Sequence, residues 1–312
     1  MSTTPVPQTS TTPTGPAPTV SGPALSGPAV SGPVVDVHSH LFRHSHDFDA
    51  TFRAESARAH AGEVDLTVRY EDYAASAPPG TRTVVVGGKA RRSGLWVDDA
   101  AVAAYVAQHP EQLIGYLAID PTQPGWREEL RHGHRELGLR GIKIMPMYAG
   151  FDPADPAYDD LFGYAEEHGL PLLVHTGTTF VSQAPLEYAM PRHLDWVAIR
   201  HPELRMVLAH LSHPFEGECV AVIRKHPHVY ADISALHYRP FQLWHSLRLV
   251  QDYGVWDKLL FGSDYPFTTV NDSIEGLRRI ARVPGIPGLD PLDQDAVEAL
   301  IHRPALDLLG LA

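Results

Sequence analysis

Four short apolar segments of this chain each end in a side chain of a type that binds metal ions. The segments and their final side chains are 34–37 with His38 and His40, 171–174 with His175, 206–209 with His210, and 259–263 with Asp264. Short buried strands that each end in a potential ligand are what a metal site at the mouth of a parallel barrel requires. This pattern favours a metal-dependent enzyme over a binding module.

Apolar runs of strand length alternate with helix-like stretches from residue 34 onward. The predicted strands are 34–37, 83–86, 113–119, 141–144, 172–174, 206–209, 229–233 and 259–261. The predicted helices are 98–108, 126–137, 155–168, 191–200, 214–225, 241–252, 271–281 and 293–309. Alternating strands and helices form a parallel sheet covered by helices, and eight such units over about 280 residues match the size of a (β/α)8 TIM barrel.

A doubly wound open sheet is the structural alternative to a closed barrel. No glycine-rich phosphate loop follows the first predicted strand, although such a loop is typical of the nucleotide-binding form of that fold. The potential ligands also lie on the first, fifth, sixth and eighth strands. Only a closed barrel brings the first and eighth strands side by side, so the predicted fold class is α/β, a TIM barrel.

Residues 1–33 differ in composition from the rest of the chain. They contain no charged side chain, and a five-residue unit repeats from Ser21, Ser26 and Ser31. Such a segment buries too little apolar surface to offset the entropy of ordering, so we expect a disordered tail. It lacks the basic start and continuous apolar core of a secretory signal. The predicted organisation is a tail over 1–33 and one barrel domain over 34–312.

Charge and cysteine content limit the partners and the compartment. The formal net charge of −12 argues against nucleic acid and anionic membranes as partners. No apolar run approaches the roughly 18 residues that a membrane-spanning helix needs. The single cysteine, Cys219, cannot form an intrachain disulfide, which favours the cytoplasm. We expect Cys219 to be a buried helix residue.

The residue types at the strand ends suit one metal ion. A His-x-His pair such as His38 and His40 directs both imidazoles to one face of a strand, where both can bind an ion at about 2.1 Å. A third imidazole and a carboxylate complete a site for a cation such as Zn²⁺ and leave room for water. Taken singly, His175 and His210 are interpretable as buried histidines and Asp264 as a turn residue. Their joint position at the ends of separate strands favours the metal interpretation.

Five motifs carry a resemblance to a known family. They are Asp36-Val37-His38-Ser39-His40, Leu139-Arg140-Gly141-Ile142-Lys143-Ile144, Leu173-Val174-His175-Thr176-Gly177, Leu208-Ala209-His210 and Leu260-Phe261-Gly262-Ser263-Asp264-Tyr265-Pro266. In order and spacing they resemble the amidohydrolase superfamily, and within it the amidohydrolase-related branch of TIM-barrel metal hydrolases. That branch also contains aminocarboxymuconate-semialdehyde-decarboxylase-like enzymes.

The resemblance implies a role for each potential ligand. His38 and His40 on the first strand and His175 on the fifth would bind the metal. Asp264 on the eighth strand would bind it too, and would also take a proton from the bound water. His210 on the sixth strand would either bind a second metal or act as an acid and electrostatic stabiliser.

Lys143, at the end of the fourth predicted strand, has two interpretations. In some superfamily members a carboxylated lysine at this place bridges two metals. Otherwise its ammonium lies at the barrel mouth and stabilises an oxyanion, binds a substrate anion or pairs with a carboxylate. We favour one Zn²⁺ ion, with Asp264, His210 and Lys143 as catalytic groups. Two ions bridged by Lys143, or another divalent metal, are the alternatives.

Several further residues are expected near the site. The long connection 41–82 is predicted to carry helices over 49–60 and 72–76 above the barrel mouth. Side chains that would support the ligands are Asp36, expected on the same strand face as His38, and Asp232 and Ser234. Met145 is expected in an apolar pocket wall. Candidate aromatic pocket residues are Tyr148, Phe151, Phe180, Trp244 and Phe267, and candidate arginines for a substrate carboxylate are Arg43 and Arg239.

The function predicted from these residues is a metal-dependent hydrolase that uses a metal-activated water on a small amide, lactone or ester. A non-oxidative decarboxylase on the same scaffold is the first alternative, and it requires a substrate carboxylate held near arginine or lysine. A catalytically inactive barrel that acts as a binding subunit is the second. The expected partner is a small-molecule substrate, and the resemblance implies a homodimer as the oligomer to test.

Overall fold

The computed structural model describes residues 32–312. Of the predicted disordered tail over 1–33, residues 1–31 lie outside the described residues. Within them, eight parallel strands form one sheet in which each strand pairs with the next along the chain. They are β1 Val35–His40, β2 Arg82–Val86, β3 Leu113–Ile119, β4 Ile142–Ile144, β5 Leu172–Val174, β6 Met206–Leu208, β7 Val229–Asp232 and β8 Leu259–Leu260.

Backbone hydrogen bonds join β1 to the segment around β8 and bring the two edges of the sheet together. The Val37 N–H donates to the Phe261 carbonyl at 3.0 Å, and the Asp264 N–H donates to the His38 carbonyl at 2.7 Å. The His40 N–H donates to the Tyr265 carbonyl at 2.7 Å. The TIM-barrel prediction and its eight strands are therefore confirmed.

Helices connect the strands on the outside of the barrel. In residues 32–312 they are α1 His44–Asp47, α2 Ala50–Ala59, α3 Tyr70–Ala75, α4 Asp99–Val106, α5 Trp126–Arg135, α6 Pro146–Ala149, α7 Asp159–Glu167, α8 Pro191–Arg200, α9 Glu216–Lys225, α10 Pro240–Tyr253, α11 Val270–Ala281, α12 Gln294–Ile301 and α13 Ala305–Leu309. Side-chain caps mark several starts, such as Asp293, which accepts from the Ala296 N–H before α12. The predicted helix 293–309 is divided in two, with Pro304 at the start of α13.

The barrel interior is apolar at the bottom and polar at the top. Alternate residues of the strands point inward, and a buried cluster that includes Val84, Leu173 and Val207 fills the lower part. Leu306 and Leu309 of α13 pack against this cluster and close the bottom. The carboxyl ends of the strands carry buried polar side chains instead, which is where TIM barrels hold their sites.

The long connection between β1 and β2 forms a cap over the barrel mouth. It contains α1, α2 and α3, close to the predicted helices. An antiparallel hairpin of Lys89–Ala90 and Leu95–Trp96 lies next to it and is joined to it through Phe48. No helix among residues 32–312 is both long and apolar enough to cross a membrane.

Candidate metal centre

Three of the predicted site residues lie close enough to share one metal ion. His38, His210 and Asp264 each offer one ligand atom, and these atoms lie within 4.8 Å of one another. The Asp264 Oδ1 atom is 3.4 Å from His38 Nε2 and 3.1 Å from His40 Nε2. The structure therefore gathers His38, His210 and the carboxylate that follows β8 around one point, with His40 in contact with that carboxylate.

The other two predicted site residues lie at the edge of this group. The Lys143 Nζ atom is 3.2 Å from His38 Nε2, and the side chain is almost completely buried. The His175 ring is 5.2 Å from the His210 ring between centroids, but its Nε2 atom is 3.2 Å from the Thr178 carbonyl oxygen. His175 is thus near the group without joining it in this arrangement, and its role as a ligand stays a prediction.

Two of the central residues have backbone conformations that L-residues rarely adopt. Asp264 has φ of 66° and His210 has φ of 59°, and Leu211 and Ser212 continue the left-handed turn with φ of 46° and 55°. Such conformations cost about 1–3 kcal/mol each and persist only where surrounding contacts impose them. Their concentration at these two side chains supports a functional interpretation of the group.

Thr176 holds the left-handed turn that carries His210. Its hydroxyl donates to the Ala209 carbonyl at 2.8 Å and lies 2.9 Å from the Ser212 hydroxyl, so it bonds to both sides of the turn. From the sequence alone, Thr176 has no predicted role beyond its place in the motif with His175. The sequence feature that could have identified Thr176 is its position directly after the strand-end residue His175, where its side chain faces the neighbouring loop.

Asp232 and Ser234 support the imidazoles, as expected from the sequence. The Asp232 carboxylate is 2.9 Å from His38 Nδ1 and also accepts the His210 backbone N–H at 2.9 Å. The Ser234 hydroxyl lies 2.8 Å from His210 Nδ1. Both residues are completely buried at the end of β7.

The expectation that Asp36 shares the His38 face is wrong. Asp36 pairs with Thr83 while Ser39 pairs with Val85, so β1 carries one extra residue between them, a β-bulge. The bulge reverses the alternation of side chains, and Asp36 points to the outer side of the sheet. There its carboxylate accepts from the Ser263 hydroxyl at 2.7 Å and from the Tyr73 hydroxyl at 3.1 Å, which ties β1 to the β8 loop and the cap.

The electrostatics of the group fit a cation. Burial lowers the pKa of His38, His40, His175 and His210, which favours the neutral imidazole, the form that has a lone pair for a metal ion. Burial also raises the pKa of Asp264, because the carboxylate is removed from water. Burial favours the neutral form of Lys143 as well, and it therefore lowers the pKa of this ammonium group to about 8. Neutral imidazoles around a desolvated carboxylate form a donor set that a divalent cation would stabilise.

A pocket of about 540 Å³ lies above the group, with His40, His175, His210 and Asp264 in its floor. Its walls are largely apolar and include Met145, as expected. Among the predicted aromatic residues, Tyr148, Phe180 and Phe267 line it. Phe151 instead packs against Tyr158 below, and Trp244 is not among the lining residues.

The two arginines considered for a substrate carboxylate differ in their positions. Arg239 lines the pocket, donates to the Ala235 carbonyl at 3.0 Å and stacks on the Tyr238 ring. Arg43 does not line the pocket, since its guanidinium pairs with the buried Asp47 at 2.6 Å. The expectation for Arg43 is therefore wrong, because its carboxylate partner one helical turn away already holds it.

The fold and the site together define the class of this protein. It is a TIM barrel with histidines and a carboxylate, a candidate metal centre, at the carboxyl-terminal mouth. The family model described as amidohydrolase matches residues 35–311, so the chain belongs to the amidohydrolase family. The resemblance seen in the motifs is confirmed.

Solved structures share the fold at low sequence identity. An uncharacterised TIM-barrel protein from Bordetella bronchiseptica has a TM-score of 0.68 and 20% identity over 89% of this chain and 98% of that chain. A 5-carboxyvanillate decarboxylase from Novosphingobium aromaticivorans, complexed with manganese and 4-hydroxy-3-methoxy-5-nitrobenzoic acid, has a TM-score of 0.61 and 14% identity over 90% and 96%.

A probable 2-pyrone-4,6-dicarboxylic acid hydrolase from Acinetobacter baumannii with citric acid bound is a third similar structure. It has a TM-score of 0.55 and 15% identity over 89% of this chain and 99% of that chain. No curated protein matches the chain significantly. The similar structures therefore include both decarboxylases and hydrolases, and at these identities they establish the fold alone.

Proposed function

We propose that the protein is a metal-dependent hydrolase that acts on a small amide, lactone or ester. The observation that carries the proposal is the Asp264 carboxylate, which lies within 3.4 Å of the His38 and His40 imidazoles in the floor of a largely apolar pocket. A carboxylate so placed is able both to bind a cation and to accept a proton from water. The family membership supports the same class of chemistry.

The proposed ligands are His38, His40, His175 and Asp264. His210 is proposed as a further metal ligand, for the same ion or a second one, or as a catalytic group, since its ligand atom lies within 4.8 Å of those of His38 and Asp264. Zn²⁺ is the proposed metal because neutral imidazoles and one carboxylate are ligands it prefers. Manganese, which is bound in the similar decarboxylase structure, is the alternative. A divalent cation bound there would supply Lewis acidity, making water more acidic and polarising a substrate carbonyl.

The chain's own residues would move protons and stabilise charge. Asp264 would accept a proton from water and deliver it to the leaving group. Lys143 borders the same point and would stabilise the negative charge that develops on the carbonyl oxygen. His210 would do so as well once its Nε2 atom has taken up a proton. The apolar walls of the pocket, including Met145 and Phe267, would exclude bulk water and so strengthen these interactions.

Non-oxidative decarboxylation is the second candidate function. It is favoured by Arg239 in the pocket wall, which would hold a substrate carboxylate, and by the aromatic side chains Tyr148, Phe180 and Phe267 around it. Among the similar structures, the 5-carboxyvanillate decarboxylase is named for a reaction of this kind. The substrate would then be a ring that carries a carboxylate.

One experiment distinguishes the two functions. The protein is stripped with a chelator, reloaded with Zn²⁺ or Mn²⁺, and incubated with aryl esters, lactones and amides in one series and hydroxybenzoates in the other. Hydrolysis is followed by acid release and decarboxylation by CO₂ release. We expect metal-dependent hydrolysis that Asp264→Asn abolishes. CO₂ release without hydrolysis would establish the second candidate instead, and metal uptake without turnover in either series would support an inactive binding barrel.

Two expectations about cellular context stay proposals. A cytoplasmic location is supported by the single cysteine in a chain of this size. The proposed partner is a small-molecule substrate. No nucleic acid or membrane partner is proposed, in line with the net charge of −12. A homodimer is proposed as the assembled form. Light scattering during gel filtration would give the mass, and a monomer would contradict the dimer.

A further inference from the structure

One serine hydroxyl lies between the two imidazoles that come from opposite parts of the barrel sequence. Ser234 Oγ is 3.1 Å from His38 Nδ1 and 2.8 Å from His210 Nδ1. His38 lies within β1, His210 follows β6, and the serine follows β7. Ser234 is completely buried, so water does not compete for these contacts.

An ionised carboxylate is the strongest acceptor within reach of the Ser234 hydroxyl hydrogen. Ser234 Oγ–H donates to Asp232 Oδ1, which has no hydrogen to give when ionised. The same carboxylate accepts the Ser234 N–H at 3.0 Å, and its other oxygen lies 2.9 Å from His38 Nδ1. Since its one hydrogen is used, the Ser234 oxygen faces both imidazoles only as an acceptor.

This arrangement determines which ring nitrogen carries the hydrogen. His210 Nδ1 faces the Ser234 hydroxyl oxygen and, at 3.3 Å, the Ser234 carbonyl oxygen, and both accept. His38 Nδ1 faces the Ser234 hydroxyl oxygen and the Asp232 carboxylate, which also accept. A neutral imidazole with hydrogen on Nδ1 has its lone pair on Nε2. For His38, that nitrogen lies beside Lys143 and Asp264.

We propose that Ser234 is a positioning residue that, together with Asp232, holds His38 and His210 as Nδ1–H tautomers and directs both Nε2 lone pairs to the same point. Its value as a device for a metal centre rests on the proposed function. The tautomers themselves do not, because they follow from the hydrogen bonds alone. Orientation of ligand histidines through the second ring nitrogen typically changes metal affinity by about 10–100-fold.

The space around Ser234 decides which variants test the proposal. A Cβ built on Gly262 would lie 3.3 Å from the Ser234 Cβ, so the loops that follow β7 and β8 are close here. A variant at Ser234 should therefore change the side-chain volume little. Ser234→Ala removes the hydroxyl without adding volume. Ser234→Thr keeps the hydroxyl and is the conservative variant. Ser273→Ala removes a buried hydroxyl in α11, bonded to the Thr269 carbonyl at 2.8 Å, and controls for the loss of any buried hydroxyl.

The test measures tautomers and metal affinity in the full chain. Chelator-stripped protein labelled with ¹⁵N-histidine is studied by two-bond ¹H–¹⁵N spectra, and Zn²⁺ affinity is measured by competition with a chromophoric chelator. We expect Nδ1–H patterns for His38 and His210 in the wild type. In Ser234→Ala the His210 pattern should become mixed and Zn²⁺ affinity should fall about 10–100-fold. Ser234→Thr and Ser273→Ala should resemble the wild type.

The outcomes separate this inference from the proposed function. Nε2–H tautomers in the wild type, or a Ser234→Ala variant with unchanged tautomers and unchanged Zn²⁺ affinity, would overturn the inference. If the wild type shows the Nδ1–H patterns but binds neither Zn²⁺ nor Mn²⁺, the proposed function fails while the positioning role stands. Should Ser234→Ala not fold, the wild-type spectrum still decides the question, because Nε2–H tautomers there would overturn the inference.

Discussion

The backbone of Gly177 packs directly against the carbonyl group of His213. A Cβ added at Gly177 would lie 2.2 Å from that oxygen, and Gly177 also has φ of +84°, which L side chains rarely adopt. Gly177 follows β5 two residues after His175, and His213 follows the left-handed turn of His210. The two loops that carry these histidines are therefore held together by a contact that only glycine permits.

Gly177→Ala should destabilise the protein and disturb the site at the same time. Overpacking and the strained φ together should cost about 3 kcal/mol, because the obstacle is backbone and cannot rotate away. The free energy of unfolding from urea titration measures the cost, and Zn²⁺ affinity measures the displacement of His210. Gly217→Ala is the matched control, since a Cβ there meets nothing within 4 Å, and it should be neutral or stabilise by about 0.5 kcal/mol.

Thr176→Val should weaken the left-handed turn without leaving a cavity. The substitution keeps the shape of the side chain but removes the hydroxyl that donates to the Ala209 carbonyl at 2.8 Å. Leaving a buried acceptor without its donor costs about 1–3 kcal/mol, and the site should lose Zn²⁺ affinity as the turn relaxes. Thr176→Ser keeps the donor and should retain most of the affinity. Equal affinity in Thr176→Val and the wild type would show that the turn does not depend on this hydroxyl.

A buried ion pair away from the site predicts a dependence of stability on pH. Lys89 Nζ is 2.8 Å from Asp99 Oδ2, and both side chains are buried. Burial raises the pKa of Asp99, and the Lys89 ammonium opposes that rise. Lys89→Met should destabilise the protein by about 3 kcal/mol at pH 8, because it leaves the ionised, buried Asp99 carboxylate without a cationic partner.

The sign of the pH effect follows from the raised pKa of the folded variant. Without Lys89, the pKa of folded Asp99 exceeds its unfolded value of about 3.9 by more than before. The deficit is therefore largest above the folded pKa and shrinks as the pH falls through it. Urea titrations at pH 8 and pH 5 test this, and a deficit that grows at pH 5 would contradict it. Arg127→Met, which breaks an exposed pair with Asp160, should cost less than about 1 kcal/mol at either pH.

Cys219 should not react with thiol reagents while the protein is folded. The side chain is fully buried in α9, as predicted from the sequence, and burial raises the pKa of its thiol to about 12. The reactive thiolate is then almost absent at pH 8. A chromogenic disulfide reagent should label one thiol in denaturant and none in buffer. Rapid labelling in buffer would place Cys219 at the surface.

The strands and their final side chains could be predicted because short apolar runs between turn residues report buried strands directly. The strand β5, over Leu172–Val174, has the predicted bounds. The ends of the helices are harder to predict from the sequence. The predicted helix 293–309 is divided at Pro304, where the chain turns under the barrel. The pattern of buried apolar residues in the sequence therefore predicts most of the fold.

The features missed in the sequence depend on local backbone geometry. The bulge in β1 reverses the face of Asp36, and no residue type announces it. The left-handed turn at His210 is formed by ordinary residues under tertiary contacts, not by glycine. Arg239 and Arg43 read alike in the sequence, and only the position of Asp47 separates the pocket residue from the paired one.

The function proposed above depends on binding of a divalent metal by the group around Asp264. The most direct measurement is metal content by plasma mass spectrometry on wild type and Asp264→Asn, purified without added metal. We expect about one equivalent of a divalent metal in the wild type and much less in Asp264→Asn, while two equivalents would indicate a bridging carboxylated Lys143. A wild type that carries no metal and takes up neither Zn²⁺ nor Mn²⁺ on reconstitution would contradict the claim.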